Sequence, residues 1–361
     1  MNTLIVSHDT YENKQIVSGT VIMVQSLDGN ELQYDTLDAE LEFGVSAPTI
    51  FKPKDADGML TSELELFGVK PIVRIIVTDP SLYKYGEEVI YKHNGALVGK
   101  YYMTTITRVA KTRYQITCVS PVGILSNSKH YGGLYNGIRF ADLVGEIIGG
   151  IVPFSVSPEL ANQPMYGWLP IGTRRDNLHQ ALFAMGASAQ KDSAGDLYIC
   201  PLSDDVRIGI PEGRVFAGGS VRYPERVTQI SVSEHTYYAA GSDIATLFEG
   251  LIDAESIVTP GGEYVNGSVV LFSEPMHDLV IEGSSIIESG VNYAVIAPSA
   301  ECRLTGTKYA HTIREVTRPE YVSSGDTENK ITVSDATLVS VANSENVADR
   351  LMSYYSSART L

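Results

Sequence analysis

The stretch YGWLPIGTRRDNLHQALFAMGASAQKDSAGDLYICPL, residues 166–202, decides how the rest of this chain is read. It carries the single tryptophan, Trp168. Thr173 stands where a helix N-cap belongs: its hydroxyl can accept from the amide of Asp176, and the Asp176 carboxylate suits the positive end of the helix dipole. Leu178, Ala181, Leu182 and Met185 then recur on one face of a 3.6-residue period. Gly186 is a natural stop. Trp168, Leu178, Leu182 and Met185 are expected in the core, because an apolar helix face normally packs against something. Residues 187–190 and 197–202 read as two short strands about the turn Asp192-Ser193-Ala194-Gly195. A helix feeding a hairpin is a small α/β unit, and the sequence on either side of it reads as β-structure.

On the N-terminal side, residues 19–25 are β-rich and Asp28-Gly29 is a hairpin signal. Within 32–43, Leu37, Ala39, Leu41 and Phe43 alternate with Asp38, Glu40 and Glu42, which predicts one strand with a buried and a wet face. Further strands are expected at 69–77, 88–93, 96–107 and 112–120, with Asn94-Gly95 as another tight turn. The glycine-rich string His130-Tyr131-Gly132-Gly133-Leu134-Tyr135 reads as a turn. It lacks the lysine and the glycine spacing of a phosphate-binding loop. Phe140, Leu143, Val144, Ile147 and Ile148 follow at helical spacing, ended by Gly149-Gly150.

On the C-terminal side, residues 201–219 are rich in Pro, Gly and charge and mark a transition. Strands are expected at 226–234, 267–272, 278–281, 293–296, 300–306 and 330–333. Asn343 or Ser344 should cap a closing helix whose Val347 and Leu351 share a face with Tyr354 or Tyr355. Taken alone, these patterns describe an α+β, mostly β protein: two β-domains flanking a small α/β domain, with a C-terminal helix.

Composition narrows the function classes. The 361 residues suffice for two or three domains with their own cores. A net charge of −16 argues against binding DNA or anionic membrane through a basic surface. More than half of that excess lies in 241–290, which holds nine carboxylates and no Lys or Arg. These carboxylates are expected on exposed surface, where like charges normally stay. No apolar run approaches a membrane span and no signal peptide is evident. Cys118, Cys200 and Cys302 show no CxxC spacing and fit buried small hydrophobes in a reducing compartment.

No catalytic, cofactor-binding or metal-ligating residue is assigned. The seven histidines are scattered and form no metal spacing. His179, beside the helix face, is expected to be a surface or hydrogen-bonded residue. There is no GxSxG elbow. Asp253 and Glu255 could pair as glycosidase carboxylates, but in so acidic a segment a solvated surface is the default. The chain is therefore expected not to be an enzyme and to need no cofactor.

Several strings, falling in one order along most of the chain, resemble hub proteins in the phage and prophage tails of Gram-positive bacteria. They are Tyr34-Asp35-Thr36-Leu37, the glycine-rich string at 130–135, Gly167-Trp168-Leu169-Pro170, Thr173-Arg174-Arg175-Asp176-Asn177-Leu178 and Leu182-Phe183-Ala184. The others are Val232-Ser233-Glu234-His235, Ser273-Glu274-Pro275, Val291-Asn292-Tyr293-Ala294 and the closing helix with Tyr354-Tyr355. The resemblance implies a first tube-like antiparallel β-domain at 1–130, a small α/β domain at 131–219, and a second tube-like β-domain with the C-terminal helix at 220–361. It implies a homotrimeric baseplate or tail-tip hub, assembled in the host cytoplasm, that joins the hexameric tail tube to the spike or tip protein and other baseplate components. DNA would pass through its lumen without specific binding. Such an adaptor is expected to hold two β-regions with a shared core of strands, so that three chains offer six similar contacts. Rival readings are a tail-associated cell-wall hydrolase and a receptor- or glycan-binding tail-tip module.

Overall fold

The computed structural model describes residues 19–24, 31–36, 38–44, 61–71, 88–93, 96–110, 113–201, 227–240, 243–319 and 329–357. The architecture is α+β and mostly β, with a C-terminal helix. Two compact units divide it: residues 1–128 with 148–158 and 188–200, and residues 129–147 with 159–187 and 201–361. The α/β stretch around Trp168 contributes to both units.

In the first unit, alternating sequence builds seven strands: β1 (Gly19–Val24), β2 (Glu31–Thr36), β3 (Asp38–Gly44), β4 (Thr61–Pro71), β5 (Glu88–His93), β6 (Ala96–Ala110) and β7 (Arg113–Val119). Their order is β2-β1-β5-β6-β7-β4-β3. β2 also pairs with β4, Tyr34 opposite Pro71 and Asp35 opposite Lys70. Six antiparallel strands thus close on themselves, and β3 hangs from the outer part of β4. Closure removes the sheet edges that would otherwise invite pairing with another chain. It also explains a departure from expectation: residues 32–43 are two strands, because β2 pairs with both β1 and β4 while β3 pairs with β4 alone. Of the strand expected at 69–77, residues 69–71 end β4, and the remainder lies outside the described residues, as does Asp28-Gly29. His93 stands opposite Ala96, and the expected turn at Asn94-Gly95 lies outside the described residues. Ser120 then caps α1 (Pro121–Ile124), accepting from the Gly123 amide at 3.2 Å.

The chain continues through β8 (Lys129–His130), β9 (Gly133–Arg139), α2 (Phe140–Ile148), β10 (Phe154–Val156), α3 (Pro158–Ala161), β11 (Pro164–Leu169), β12 (Gly172–Thr173), α4 (Arg174–Met185), β13 (Ala187–Lys191) and β14 (Leu197–Pro201). All five apolar positions predicted for α2 are fully buried. In α4 the Thr173 hydroxyl accepts from the Asp176 amide at 3.0 Å, and Gly186 ends the helix in the left-handed conformation. Burial here goes beyond the predicted stripe. Every residue from Asn177 to Ala184 is buried, including Asn177, His179 and Gln180, whereas Met185 is only partly covered. His179 is engaged in an interaction inside the fold. β13 and β14 are neighbours about the predicted turn, where the Asp192 side chain accepts from the amides of Ala194 and Asp196. β10 adds a parallel strand, Phe154 opposite Leu197. Within this unit the Lys100 ammonium meets Asp196 at 2.6 Å.

The remaining strands belong to the second unit: β15 (Gln229–Tyr238), β16 (Ile244–Ile252), β17 (Ser256–Val258), β18 (Tyr264–Asn266), β19 (Ser268–Leu271), β20 (Met276–Glu282), β21 (Ile286–Gly290), β22 (Tyr293–Ile296), β23 (Ser299–Lys308), β24 (Ala310–Arg318) and β25 (Lys330–Val333). β15 pairs with β24 down to Tyr238 opposite Ala310, and β16 resumes against β23 with Ile244 opposite Thr307. The two pairings follow one another along the same two stretches of chain. β25 joins the other edge of β15 in parallel. Ile252, Phe272, Met276, Ala294, Ile296, Cys302 and Leu304 form the core beneath β16, β20 and β23. α5 (Ser344–Ser357) packs on β15 and β24 with Val347, Ala348 and Leu351 fully buried.

β16 was not anticipated, because bulges at Thr246/Phe248 and Gly250/Ile252 break its period of two. β24 was missed because His311 to Glu315 is polar or exposed throughout. The two β-regions, expected to share a core of strands, differ in sheet organisation among the described residues. The first region is one seven-stranded sheet, and the second is divided among sheets of two or three strands. Alternation specifies faces; it does not specify which strand pairs with which.

Eight of the nine carboxylates in 241–290 are exposed. Two of them reach β23: Glu274 meets Lys308 at 2.7 Å, and Glu249 lies 3.8 Å from Arg303. Glu288 is the exception. It is half-buried, accepts from the Gly261 amide at 3.0 Å and from the Tyr293 hydroxyl at 2.5 Å, and so braces a turn.

Glu234 is buried in the middle of β15. Arg314 grips it with both arms, at 3.1 and 2.7 Å, and the Ser344 hydroxyl donates to it at 2.8 Å. Burial pushes the Glu234 carboxyl up, but the hydrogen bonds from Arg314 and Ser344 and the Arg314 charge outweigh it, leaving the pKa below the ordinary value. A carboxyl depressed on folding contributes stability above its unfolded pKa and loses it as pH falls through the folded one. The second unit is therefore expected to weaken as pH drops below the ordinary carboxylate range. Melting temperatures followed from neutral to acid pH should fall less steeply for Glu234→Gln than for the parent. Equal slopes would remove Glu234 from the explanation.

Candidate functional site

The structure draws distant parts of the second unit together around one amide, Asn292, which is 1% exposed. Its Oδ1 accepts from the Trp168 indole N–H at 2.7 Å. Its Nδ2 donates to the carbonyls of Tyr131 and Leu169, each at 2.8 Å. Two carbonyls facing Nδ2 fix which way the amide points. Beside it, the Trp168 amide donates to the Thr337 carbonyl at 3.1 Å, and the Thr337 hydroxyl donates back to the Trp168 carbonyl. Trp168 was expected to be a plain core residue. It is only partly buried, and its polar edge is what the clamp uses.

Two glycines owe their identity to this clamp. Gly132 has φ +67°, and a Cβ there would sit 2.1 Å from the Leu169 carbonyl oxygen and 2.5 Å from Asn292 Nδ2. Gly167 has φ +120°, and its Cβ would fall 2.3 Å from the Thr337 carbonyl oxygen. The glycine-rich string at 130–135 thus serves the close approach of backbones. It spans the end of β8 and the start of β9, so it is more extended than the turn expected from sequence.

A cluster of titratable groups lies along β8, β9, α2 and α4. Tyr135 donates to Glu146 at 2.8 Å, and His130 Nε2 stands 3.4 Å from the same carboxylate. The Asn177 amide donates to His130 Nδ1 at 2.8 Å and to the Pro170 carbonyl at 3.0 Å. With Nδ1 accepting, the His130 proton sits on Nε2 and faces Glu146. Burial pushes the Glu146 carboxyl up, and the His130 and Tyr135 hydrogen bonds more than offset it, so its pKa is below the ordinary value. Arg174 does not pair with that carboxylate by hydrogen bond; it donates to the carbonyls of Glu146 and Ile147 at the end of α2. A carboxyl held ionised in this way is a poor general acid near neutral pH. The cluster ties elements together.

The second unit also holds an aromatic site. Tyr237 stacks on His311 with centroids 4.3 Å apart, and His235 Nδ1 hydrogen-bonds His311 Nε2 at 2.9 Å. Burial lowers the pKa of both histidines, and the neighbouring His311 lowers that of His235 further. Trp168 tilts against Tyr237 at 6.0 Å. Of these rings, Tyr237 and His235 border a cavity of about 500 Å³.

The other residues weighed from sequence do not converge. Asp253 and Glu255 are exposed and lie outside the strands. Among the described residues, no group of His, Cys, Asp and Glu is arranged to hold a metal ion. Cys118, Cys200 and Cys302 are free and buried. No described helix is long and apolar enough to cross a membrane. Nothing in the sequence around Asn292 marks it as a hub of hydrogen bonds, because its partners come from distant segments.

No family model matches the chain, and no curated protein matches it by sequence. Solved structures do resemble it. The 43 kDa tail protein of prophage MuSo2 from Shewanella oneidensis gives a TM-score of 0.43 at 12% identity, over 92% of this chain and 78% of that one. A prophage tail protein from Listeria monocytogenes gives 0.37 at 12% identity, over 92% and 76%. A type VI secretion component from E. coli, described as similar in structure to T4 bacteriophage tail proteins, gives 0.29 at 11% identity, over 83% and 76%. Similarities this distant leave the functional argument to the residues themselves.

Proposed function

We propose that this chain is a structural component of a phage or prophage tail, or of a tail-derived particle, and acts as its baseplate or tail-tip hub. In this reading it assembles as a homotrimer in the host cytoplasm and joins the hexameric tube to the spike or tip. One observation carries the proposal. Three strings that resemble the tail-hub family, at 130–135, 167–170 and 291–294, interlock through the hydrogen bonds of Asn292. The resemblance thus falls on residues that determine one another's conformation, where a chance likeness would scatter. The exposed acidic segment suits a wall along which DNA slides without sticking. The three-part arrangement at 1–130, 131–219 and 220–361 belongs to the same proposal.

Deleting the gene in a strain that produces the particle tests this. The expected result is tubes without tips by electron microscopy, and three-fold density for this chain at the tip of the parent particle. Intact, tipped tails in the deletion strain would refute the hub reading. The purified protein is also expected to release no dye from labelled cell wall. Release would move the assignment to the hydrolase class.

A further inference from the structure

The cavity of about 500 Å³ in the second unit has a distinctive lining. Tyr135, Tyr166, Tyr237, Tyr238 and Tyr309 border it together with His235. Among the described residues no Lys, Arg, Asp or Glu lines it, although the chain as a whole carries a net charge of −16. Its volume lies in the range of small-ligand sites. Tyr135 spends its hydroxyl on Glu146. The hydroxyls of Tyr166, Tyr237, Tyr238 and Tyr309 make no hydrogen bond among the described residues, and so remain open to a guest.

Several of the rings are already held in place. Tyr237 is fixed in its stack on His311, with the ring planes 2° apart. Tyr309 meets His277 edge-on with centroids 4.7 Å apart. Ordering these rings on binding therefore costs little. The site offers flat apolar faces, several hydroxyl donors and acceptors, and no charge to pair with an ionic ligand.

From this geometry we propose that the cavity binds a neutral saccharide, one or two pyranose rings of an uncharged glycan. Sugar faces stack on the tyrosine rings, and sugar hydroxyls pair with the free phenols. A docked second copy is disfavoured, since an acidic chain would present its carboxylates to a pocket without a cation. An anionic sugar is disfavoured for the same reason. The proposal does not rest on the hub reading, because its test uses the purified chain without a tail.

Trp168 is the chain's only tryptophan and lies 6.0 Å from Tyr237, so its fluorescence reports on the cavity wall. Chitobiose, cellobiose and maltose are titrated as probes, with glucose 6-phosphate as the charged control. Saturation-transfer NMR reads the same mixtures from the sugar side, so that a silent tryptophan still leaves an answer. At least one neutral disaccharide is expected to bind saturably with Kd of about 1 mM or tighter. Tyr238→Ala, with an unchanged melting curve, and Tyr309→Ala, in protein that remains folded, should each weaken it by about tenfold. Tyr238 is 45% exposed, so its replacement leaves the fold intact. Absence of binding by both methods, equal binding of glucose 6-phosphate, or binding untouched in both folded variants would overturn the proposal.

Discussion

Asn292→Leu is expected to cost the second unit about 3–5 kcal/mol, one of the two largest single effects anticipated in this chain. Leucine fills much of the space of asparagine but offers no polar atom. The Trp168 indole N–H and the carbonyls of Tyr131 and Leu169 would each lose the partner that Asn292 supplies. Each buried polar group left unpaired costs about 1–3 kcal/mol. The chain has two units, so a single global transition is not assumed. Trp168 fluorescence follows the relevant one during urea unfolding. Asn292→Asp is expected to be at least as damaging, because a carboxylate oxygen would face two carbonyl oxygens. A midpoint for Asn292→Leu equal to that of the parent would show that the clamp does not hold the unit together.

Leu351→Asp is expected to cost about 4 kcal/mol and to undock α5. Leu351 is fully buried, as are Val347 and Ala348 on the same helix. The introduced carboxylate must either be desolvated without a partner or pull the helix away from β15 and β24. Undocking would carry other bonds with it. Ser344 would leave Glu234, and Arg318 would lose Asp349, which it holds at 2.7 Å. Arg350, whose Nη2 donates to the Phe183 carbonyl near the end of α4, would leave that carbonyl with only the Gly186 amide at 3.3 Å. Burial lowers the Arg350 pKa to about 10, a sign of how far this cation has been taken from water. Circular dichroism and limited proteolysis check the outcome. A melting curve that matches the parent would mean that α5 contributes nothing to the second unit. Leu351→Met, similar in volume and still apolar, should lie within about 1.5 kcal/mol of the parent.

The same residues separate what could be read locally from what could not. The cap and stop of α4 were legible, because Thr173 and Asp176 are three positions apart and Gly186 follows the last turn directly. The apolar face of α2, the hairpin from β5 to β6 and the buried face of α5 were legible for the same reason: their period and turn chemistry lie within a few residues. The exposure of the acidic segment followed from its having no local cation to pair with. These features rest on short-range sterics, hydrogen bonding and solvation, which the sequence by itself determines.

Tertiary structure alone decided the rest. Trp168 and its acceptor Asn292 are 124 positions apart, and Glu234 lies 80 positions from Arg314 and 110 from Ser344. The tyrosine-lined cavity gathers residues from Leu134 to Val341. Alternation showed which side of a strand is buried, but it carries no information about which strand becomes the neighbour. The closure of β2 onto β4 and the long ladder through β15, β16, β23 and β24 were therefore not visible in the sequence. Nor was the need for glycine at 132 and 167, since the atoms that would collide with a side chain there arrive from distant segments. A period is a property of neighbouring residues; a partner is chosen by the free energy of the whole packed chain.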